Sequence, residues 1–318
     1  IDANSYTITL TVTSDTTASG GGAAVVAAYQ INTGLDTSAS GNGWGTGPWG
    51  SNGWGEGSST SVETDQLRLW TEDNFGENLL FNPRDGAIYY KDMSLNIATR
   101  AVNLTTLSTT GNIPIVARQI LVSDNDRHAV AFATNTIGTV IQDRLLARWS
   151  DAEDLSQWTP DTTNSAGSIR FDSGSEFLKA GETTTETLVF TDVSLHSFKF
   201  IGPPFTFGQV RLATNVQLIG PNAVCSTGAE TFWMANGLFQ MYDGVVRNLP
   251  CPIRSYIFRI LNAAQAQKIY AGVNRAYKEI IFLMPVNGSE ENNFYVICNY
   301  EDLGNLTWYY GDYNDAGR

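Results

Sequence analysis

From residue 66 onward one pattern keeps returning: a short apolar or alternating run, a turn of about two to five residues, and a second such run. Residues 79–81 and 87–90 flank Asn82-Pro83-Arg84-Asp85-Gly86, and residues 115–122 and 129–133 flank 123–127. Residues 231–235 and 238–242 are joined by Asn236-Gly237, a pair that accepts the positive φ of a type I′ turn and so matches the twist of its strands. Asp192-Val193 separates apolar runs at 186–191 and 194–200, and Gly202-Pro203-Pro204 ends the second, since proline brings no N–H to a ladder. Residues 139–149 read as one long strand, 280–284 pairs with 293–299, and 306–310 is the last run. The one helical stretch is 252–261, with Pro252 at its start, followed by a second cap spacing from Asn262 to Gln265. Hairpins in succession over about 250 residues predict an all-β chain. Their return every 40 to 50 residues or so predicts a β-propeller of about six to seven irregular blades.

The chain before residue 61 is built differently. Residues 5–13 alternate, with Tyr6, Ile8, Leu10 and Val12 on one face, and 23–31 is a second apolar run. The expected organisation is N-terminal strands at 1–33 that close the propeller or form a platform, a Gly/Trp-rich loop at 34–60, and the propeller at 61–318. In the loop Trp44, Trp49 and Trp54 recur, each followed by glycine. Glycine this dense makes a regular element entropically expensive. The segment reads as a flexible linker, as a loop ordered by packing onto a neighbour with Trp44, Trp49 and Trp54 as interface anchors, or as an aromatic carbohydrate platform. Ile1 stands directly before a strand and Arg318 inside a patterned region, so the chain is expected to be part of a longer protein.

Charge narrows the function. Lys and Arg total 19 against 32 Asp and Glu, a net charge of −13, the opposite of what grips nucleic-acid phosphates. Cys225, Cys251 and Cys298 are widely spaced and fit buried thiols in a reducing cytosol better than a disulfide framework. No apolar stretch approaches the ~20 residues of a membrane span.

No constellation for catalysis stands out. His128 and His196 are far apart, no Gly-x-Ser-x-Gly elbow is present, and the glycines of the Trp-rich loop lack the lysine and helix of a phosphate loop. The strongest enzymatic candidate is the carboxylate group Asp143, Asp151, Glu153 and Asp154 beside Trp149 and Trp158, a residue set suited to glycoside hydrolysis. The segment Ser150 to Trp158 matches the Asp-box turn of sialidases only in outline: its glycine is missing, as is an arginine cluster for the substrate. Ser150 and Glu153 instead have capping-box spacing, which predicts a helical turn over 151–156, stopped by Pro160. Acidic loops at Asp124 and Asp126, or Asp312 and Asp315, lack EF-hand spacing. The expectation is no catalytic residue, no cofactor and no metal site.

The run Arg148-Trp149-Ser150-Asp151-x-Glu153-Asp154 followed by Trp158-Thr159-Pro160 resembles the tail nozzle proteins of tailed bacteriophages, also described as packaged-DNA stabilisation or tail tube B-type proteins. Asn164-Ser165-Ala166-Gly167, Ile201-Gly202-Pro203-Pro204-Phe205, Phe232-Trp233-Met234-Ala235-Asn236-Gly237, Tyr242-Asp243-Gly244, Leu261-Asn262-Ala263-Ala264-Gln265 and Ala271-Gly272-Val273-Asn274 carry the resemblance on in order. Leu67-Arg68-Leu69-Trp70 and Phe75-Gly76-Glu77 extend it toward the N-terminus, for a cover of roughly residues 25 to 310. The resemblance implies a β-propeller virion protein that is not an enzyme. It implies a homohexameric ring below the portal and its adaptor, in contact with tail fibre or needle proteins. Double-stranded DNA would pass through the lumen without specific binding during ejection. The implied location is the virion tail, after assembly in the host bacterial cytoplasm and with no membrane contact. Against the family, the chain is expected to lack the ends of a full subunit. The rival expectation is a carbohydrate-binding or glycan-cleaving propeller, receptor-binding or sialidase-like.

Overall fold

The computed structural model describes residues 67–123 and 126–313; the expected strands at 5–13 and 23–31, and Trp44, Trp49 and Trp54, lie outside them. The described strands form five four-stranded antiparallel sheets, each an uninterrupted meander in chain order. The first holds Trp70–Phe75 (β1), Asn78–Pro83 (β2), Tyr89–Lys91 (β3) and Val102–Asn103 (β4). The second holds Gln119–Val122 (β5), Ala129–Phe132 (β6), Leu146–Trp149 (β7) and Gly167–Arg170 (β8). The third holds Phe177–Glu182 (β9), Thr187–Thr191 (β10), Ser194–Gly202 (β11) and Thr206–Thr214 (β12). The fourth holds Val224–Ser226 (β13), Thr231–Ala235 (β14), Leu238–Tyr242 (β15) and Val246–Leu249 (β16). Helix Arg254–Ile260 (α1) leads to the fifth: Tyr270–Asn274 (β17), Glu279–Met284 (β18), Phe294–Asn299 (β19) and Thr307–Asp312 (β20). The first strands of successive sheets, β1, β5, β9, β13 and β17, lie side by side, so each sheet is a blade and the fold is a β-propeller. The described residues form five blades, where hairpin spacing suggests about six to seven.

The inner strands are held together by side-chain amides that imitate a ladder. Gln119 donates from Nε2 to the Ala180 carbonyl at 2.8 Å and accepts from the Ala180 N–H at 2.9 Å, joining β5 to β9. Asn82 does the same between the first two blades, donating to the Ala117 carbonyl at 2.8 Å and accepting from the Ile120 N–H at 3.0 Å. Each buried amide thereby satisfies both of its halves, as burial requires.

The core lies in slabs between blades, which explains why the middle strands are apolar on both faces. In β10, Leu188 and Phe190 enter the slab shared with the fourth and fifth blades, while Val189 enters the slab between the second and third. In β6, Val130 and Phe132 face the third blade, while Ala129 and Ala131 face the first. Phe132 stacks on Phe177 at 5.0 Å and Trp149 meets Phe207 edge-on at 5.1 Å, locking the second and third blades together.

Three local expectations are corrected. Only Leu146–Trp149 of 139–149 is strand; Val140 and Ile141 are exposed and 136–145 is an irregular loop with an isolated bridge at Gln142. No helical turn forms at 151–156. Ser150 Oγ accepts from the Ala129 N–H at 3.1 Å and donates to the Asp151 carbonyl at 2.8 Å, so it belongs to the sheet, and Glu153 takes φ +58° and pairs with Arg127 at 3.5 Å. Asn262 does not cap the 3₁₀ segment after it; its amide donates to the Ser289 carbonyl. The hairpin at Asn236-Gly237 and the helix near 254–260 form as expected.

Candidate functional site

The Arg148-Trp149-Ser150-Asp151 run lies where β7 leaves its sheet, and its large side chains turn inward. Arg148 is 1% exposed and spends its guanidinium on backbone: Nη1 donates to the Asn135 carbonyl at 3.2 Å, Nη2 to those of Asn112 at 2.5 Å and Trp158 at 3.4 Å. Burial pulls its pKa down to about 10. Trp149 donates to the Ser165 carbonyl at 2.8 Å and the fully buried Trp158 to that of Leu155 at 2.9 Å. Gly167 admits the Trp149 ring; a Cβ there would overlap it. The motif that looks most like a functional signature is therefore a corner staple, built from the polar ends of buried residues.

Beside it is a cleft of about 530 Å³, lined by Arg127, His128, Glu153, Ser165, Phe200 and Pro203 among others. His128 Nε2 lies 2.9 Å from Ser165 Oγ, and Ser165 Oγ lies 2.5 Å from Asp151 Oδ1. The residue types are those of a nucleophilic triad, but the order is inverted. Ser165 gives its single proton to Asp151, so it accepts from His128 Nε2–H as well as from the Ala152 N–H at 3.1 Å. A nucleophilic serine must hand that proton to the histidine. Burial pulls the His128 pKa down, outweighing the pull upward of Asp126 and Asp151, so the ring is neutral at pH 7. Burial pushes Asp151 up, but its hydrogen bonds from Ser165 and Ala152 leave it below the ordinary range. The trio ties the 150–166 loop to the sheet.

The four candidate carboxylates do not meet. Asp143 lies before β7 and pairs with Arg170 at 2.7 Å; Asp151, Glu153 and Asp154 follow its other end. Asp154 accepts from the Ser156 N–H at 2.8 Å and hydroxyl at 2.7 Å, closing its own turn. His196 is buried elsewhere against Ser194 at 2.8 Å. Among the described residues no three His, Cys, Asp or Glu side chains converge as metal ligands; Asp124 and Asp315 lie outside them. Cys298 is buried and Cys225 and Cys251 are half-buried free thiols, pushed up by burial to about 12, 12 and 11. No described helix is long and apolar enough to cross a membrane.

The two ends of the blades differ. Where the inner strands begin, charged and amide side chains from all five blades gather. Arg118 holds Asp85 at 3.1 Å through two nitrogens and Glu176 at 2.9 Å. Arg84, from the turn after β2, reaches Gln267 of the fifth blade. The opposite end carries exposed apolar side chains from four blades, Ile97 at 91%, Phe205 at 72%, Tyr277 at 69% and Val245 at 60%, whereas at the charged end the β6–β7 loop of a single blade exposes Val140 and Ile141. Phe205 tips the long β11–β12 hairpin, which also shows Ile201 and Val210 to solvent. Sequence patterning does not single out this end, because each apolar residue comes from a separate turn.

No family model matches the chain, and no curated protein does. Among solved structures it is similar to the N-terminal domain of Nup159, at 10% identity and TM-score 0.45, covering 77% of this chain and 61% of that one. It is similar to a hypothetical selenium-binding protein from Sulfolobus tokodaii, at 9%, TM-score 0.49, 74% and 64%. Hsv2 from Kluyveromyces lactis follows at 9%, TM-score 0.38, 75% and 62%. The chain spans about three fifths of the length of these structures. The propeller assignment rests on the meander blades of the chain itself.

Proposed function

We propose that this chain is a structural subunit of a bacteriophage tail, a nozzle protein that stands in a ring with copies of itself and surrounds the path of exiting DNA. The observation that carries the reading is the apolar end. Ile97, Phe205, Tyr277 and Val245 are exposed on turns of four separate blades at one end, and large apolar groups left to solvent across one end favour a surface that another protein covers. The order of family-like motifs from Leu67 to Asn274 agrees with it. So does the net charge of −13, which keeps DNA moving past a surface that repels phosphate. A cyclic ring needs heterologous contacts, in which one patch meets a different patch on the neighbour. Trp44, Trp49 and Trp54, which lie outside the described residues, are the proposed anchors of the second contact.

Negative-stain imaging of the purified chain, with size-exclusion chromatography, tests this directly. The expected result is a homo-oligomeric ring. Trp49→Ala and Phe205→Ser, made separately, should each shift the elution toward monomer while leaving thermal unfolding of the monomer within about 0.5 kcal/mol of wild type, as surface substitutions do. A monomer at every concentration that binds glycans on an array would replace this reading with the carbohydrate one.

A further inference from the structure

The polar side chains that line the cleft beside the Arg148 corner are nearly all acceptors. Ser165 Oγ spends its proton on Asp151 Oδ1 at 2.5 Å, and Thr206 Oγ1 spends its own on the Ser165 carbonyl at 2.9 Å. His128 donates from Nε2 to Ser165 Oγ at 2.9 Å, so its Nδ1 carries the bare lone pair. That Nδ1 is buried without a hydrogen-bond partner, in a side chain only 1% exposed. Asp126 Oδ2 is buried without a partner as well. Both residues line the cleft, and Glu153 adds a second carboxylate. The one cationic side chain in the lining is Arg127, and it is paired with Glu153 at 3.5 Å. A buried acceptor without a donor is costly, and a ligand that brings donors removes the cost.

Such a ligand donates, and facing two carboxylates against one arginine it is a cation. A sugar hydroxyl would need donors as well as acceptors, and the donor here is already held by Glu153. The apolar part of the lining, Phe200 and Pro203, narrows the cation further. A guanidinium is weakly hydrated, stacks on an aromatic face and lays its methylene stem along apolar surface, whereas an ammonium keeps its water. Its several N–H groups can also serve acceptors on more than one wall. A cleft of about 530 Å³ has room for it. Phe200 and Pro203 belong to the β11–β12 hairpin, whose tip carries Phe205 at the apolar end. We infer that the cleft receives an arginine side chain from the protein that covers this end, with Asp126 and His128 as the acceptors of its guanidinium. The source of that arginine rests on the reading that this end is covered; the chemistry of the cleft does not.

The chain has two histidines, so nitrogen NMR of the histidine-labelled full chain reads His128 against His196, which lies on β11 away from the cleft. N-acetyl-arginine amide and N-acetyl-citrulline amide, which has the same shape without the charge, are titrated into wild type and into Phe205→Ser, whose cleft no neighbouring subunit fills. The arginine amide should move the His128 imidazole signals saturably and leave those of His196 in place. The citrulline amide should bind about tenfold or more weakly, and Asp126→Asn should weaken the arginine amide by a similar factor. His128 signals that stay unmoved in both chains overturn the inference, and so does equal binding of the two amides or unchanged affinity in Asp126→Asn. The ring reading fails separately: a His128 shift in a chain that never forms a ring supports the cleft and sinks only the ring.

Discussion

Arg148→Ala should destabilise this protein by about 3–5 kcal/mol, the sum of a core cavity and buried carbonyls left without donors. The carbonyls of Asn112, Asn135 and Trp158 all converge on its guanidinium, and no other side chain reaches all three. Removing a charge buried without a carboxylate returns part of that cost, which keeps the figure below a simple sum of three lost bonds. Arg148→Met separates the terms. It refills most of the volume but donates nothing, so it should still cost about 2 kcal/mol. Equilibrium urea unfolding reads both values from the midpoint at unchanged slope. A methionine variant as stable as wild type would show that packing alone holds the corner.

Gly111→Ala should be nearly as damaging, at about 3 kcal/mol, for a different reason. A Cβ at Gly111 would overlap the carbonyl oxygen of Ser156, which is backbone and has no rotamer to change. Neither segment can yield cheaply: the Gly111 carbonyl accepts from the Trp158 N–H at 2.7 Å, and the Gly111 N–H donates to Ser108 Oγ at 3.0 Å. Gly272→Ala is the control, since a Cβ on β17 meets nothing within 4 Å and the backbone there is not left-handed. It should be neutral or slightly stabilising, because alanine has less backbone freedom to lose on folding. Thermal unfolding of the pair should place Gly111→Ala roughly 6–12 °C below Gly272→Ala. Equal melting temperatures would mean that the Gly111 and Ser156 segments separate more readily than their hydrogen bonds suggest.

The hairpins were legible in the sequence because turn chemistry is local: Asn236-Gly237 and Asp192-Val193 fix their turns within two residues. The outer strands β4, β8 and β16 and the inner strand β13 were not, since each is short and half-exposed and lacks a strong alternation. The spacing of Ser150 and Glu153 gave a false helix signal because the Ser150 hydroxyl was already engaged by β6 through Ala129, a partner far away in the chain. The carboxylates near Trp149 and Trp158 looked like a group because they are close in sequence, but a strand stands between Asp143 and the rest. The axial cluster draws one or two residues from each blade, so only the winding of the chain brings Arg84 to Gln267. The anchors Trp44, Trp49 and Trp54 lie outside the described residues.

The two-sided burial of β10 sets how this chain can drift over evolutionary time. Val189 and Phe190 are covalent neighbours, yet they answer to different partners, one across to the second blade and the other across to the fourth. A change at one is repaired from one side and a change at the other from the opposite side. Compensating substitutions should therefore appear in distant stretches of sequence rather than next door, and each interface can be rebuilt while the one behind it stays fixed.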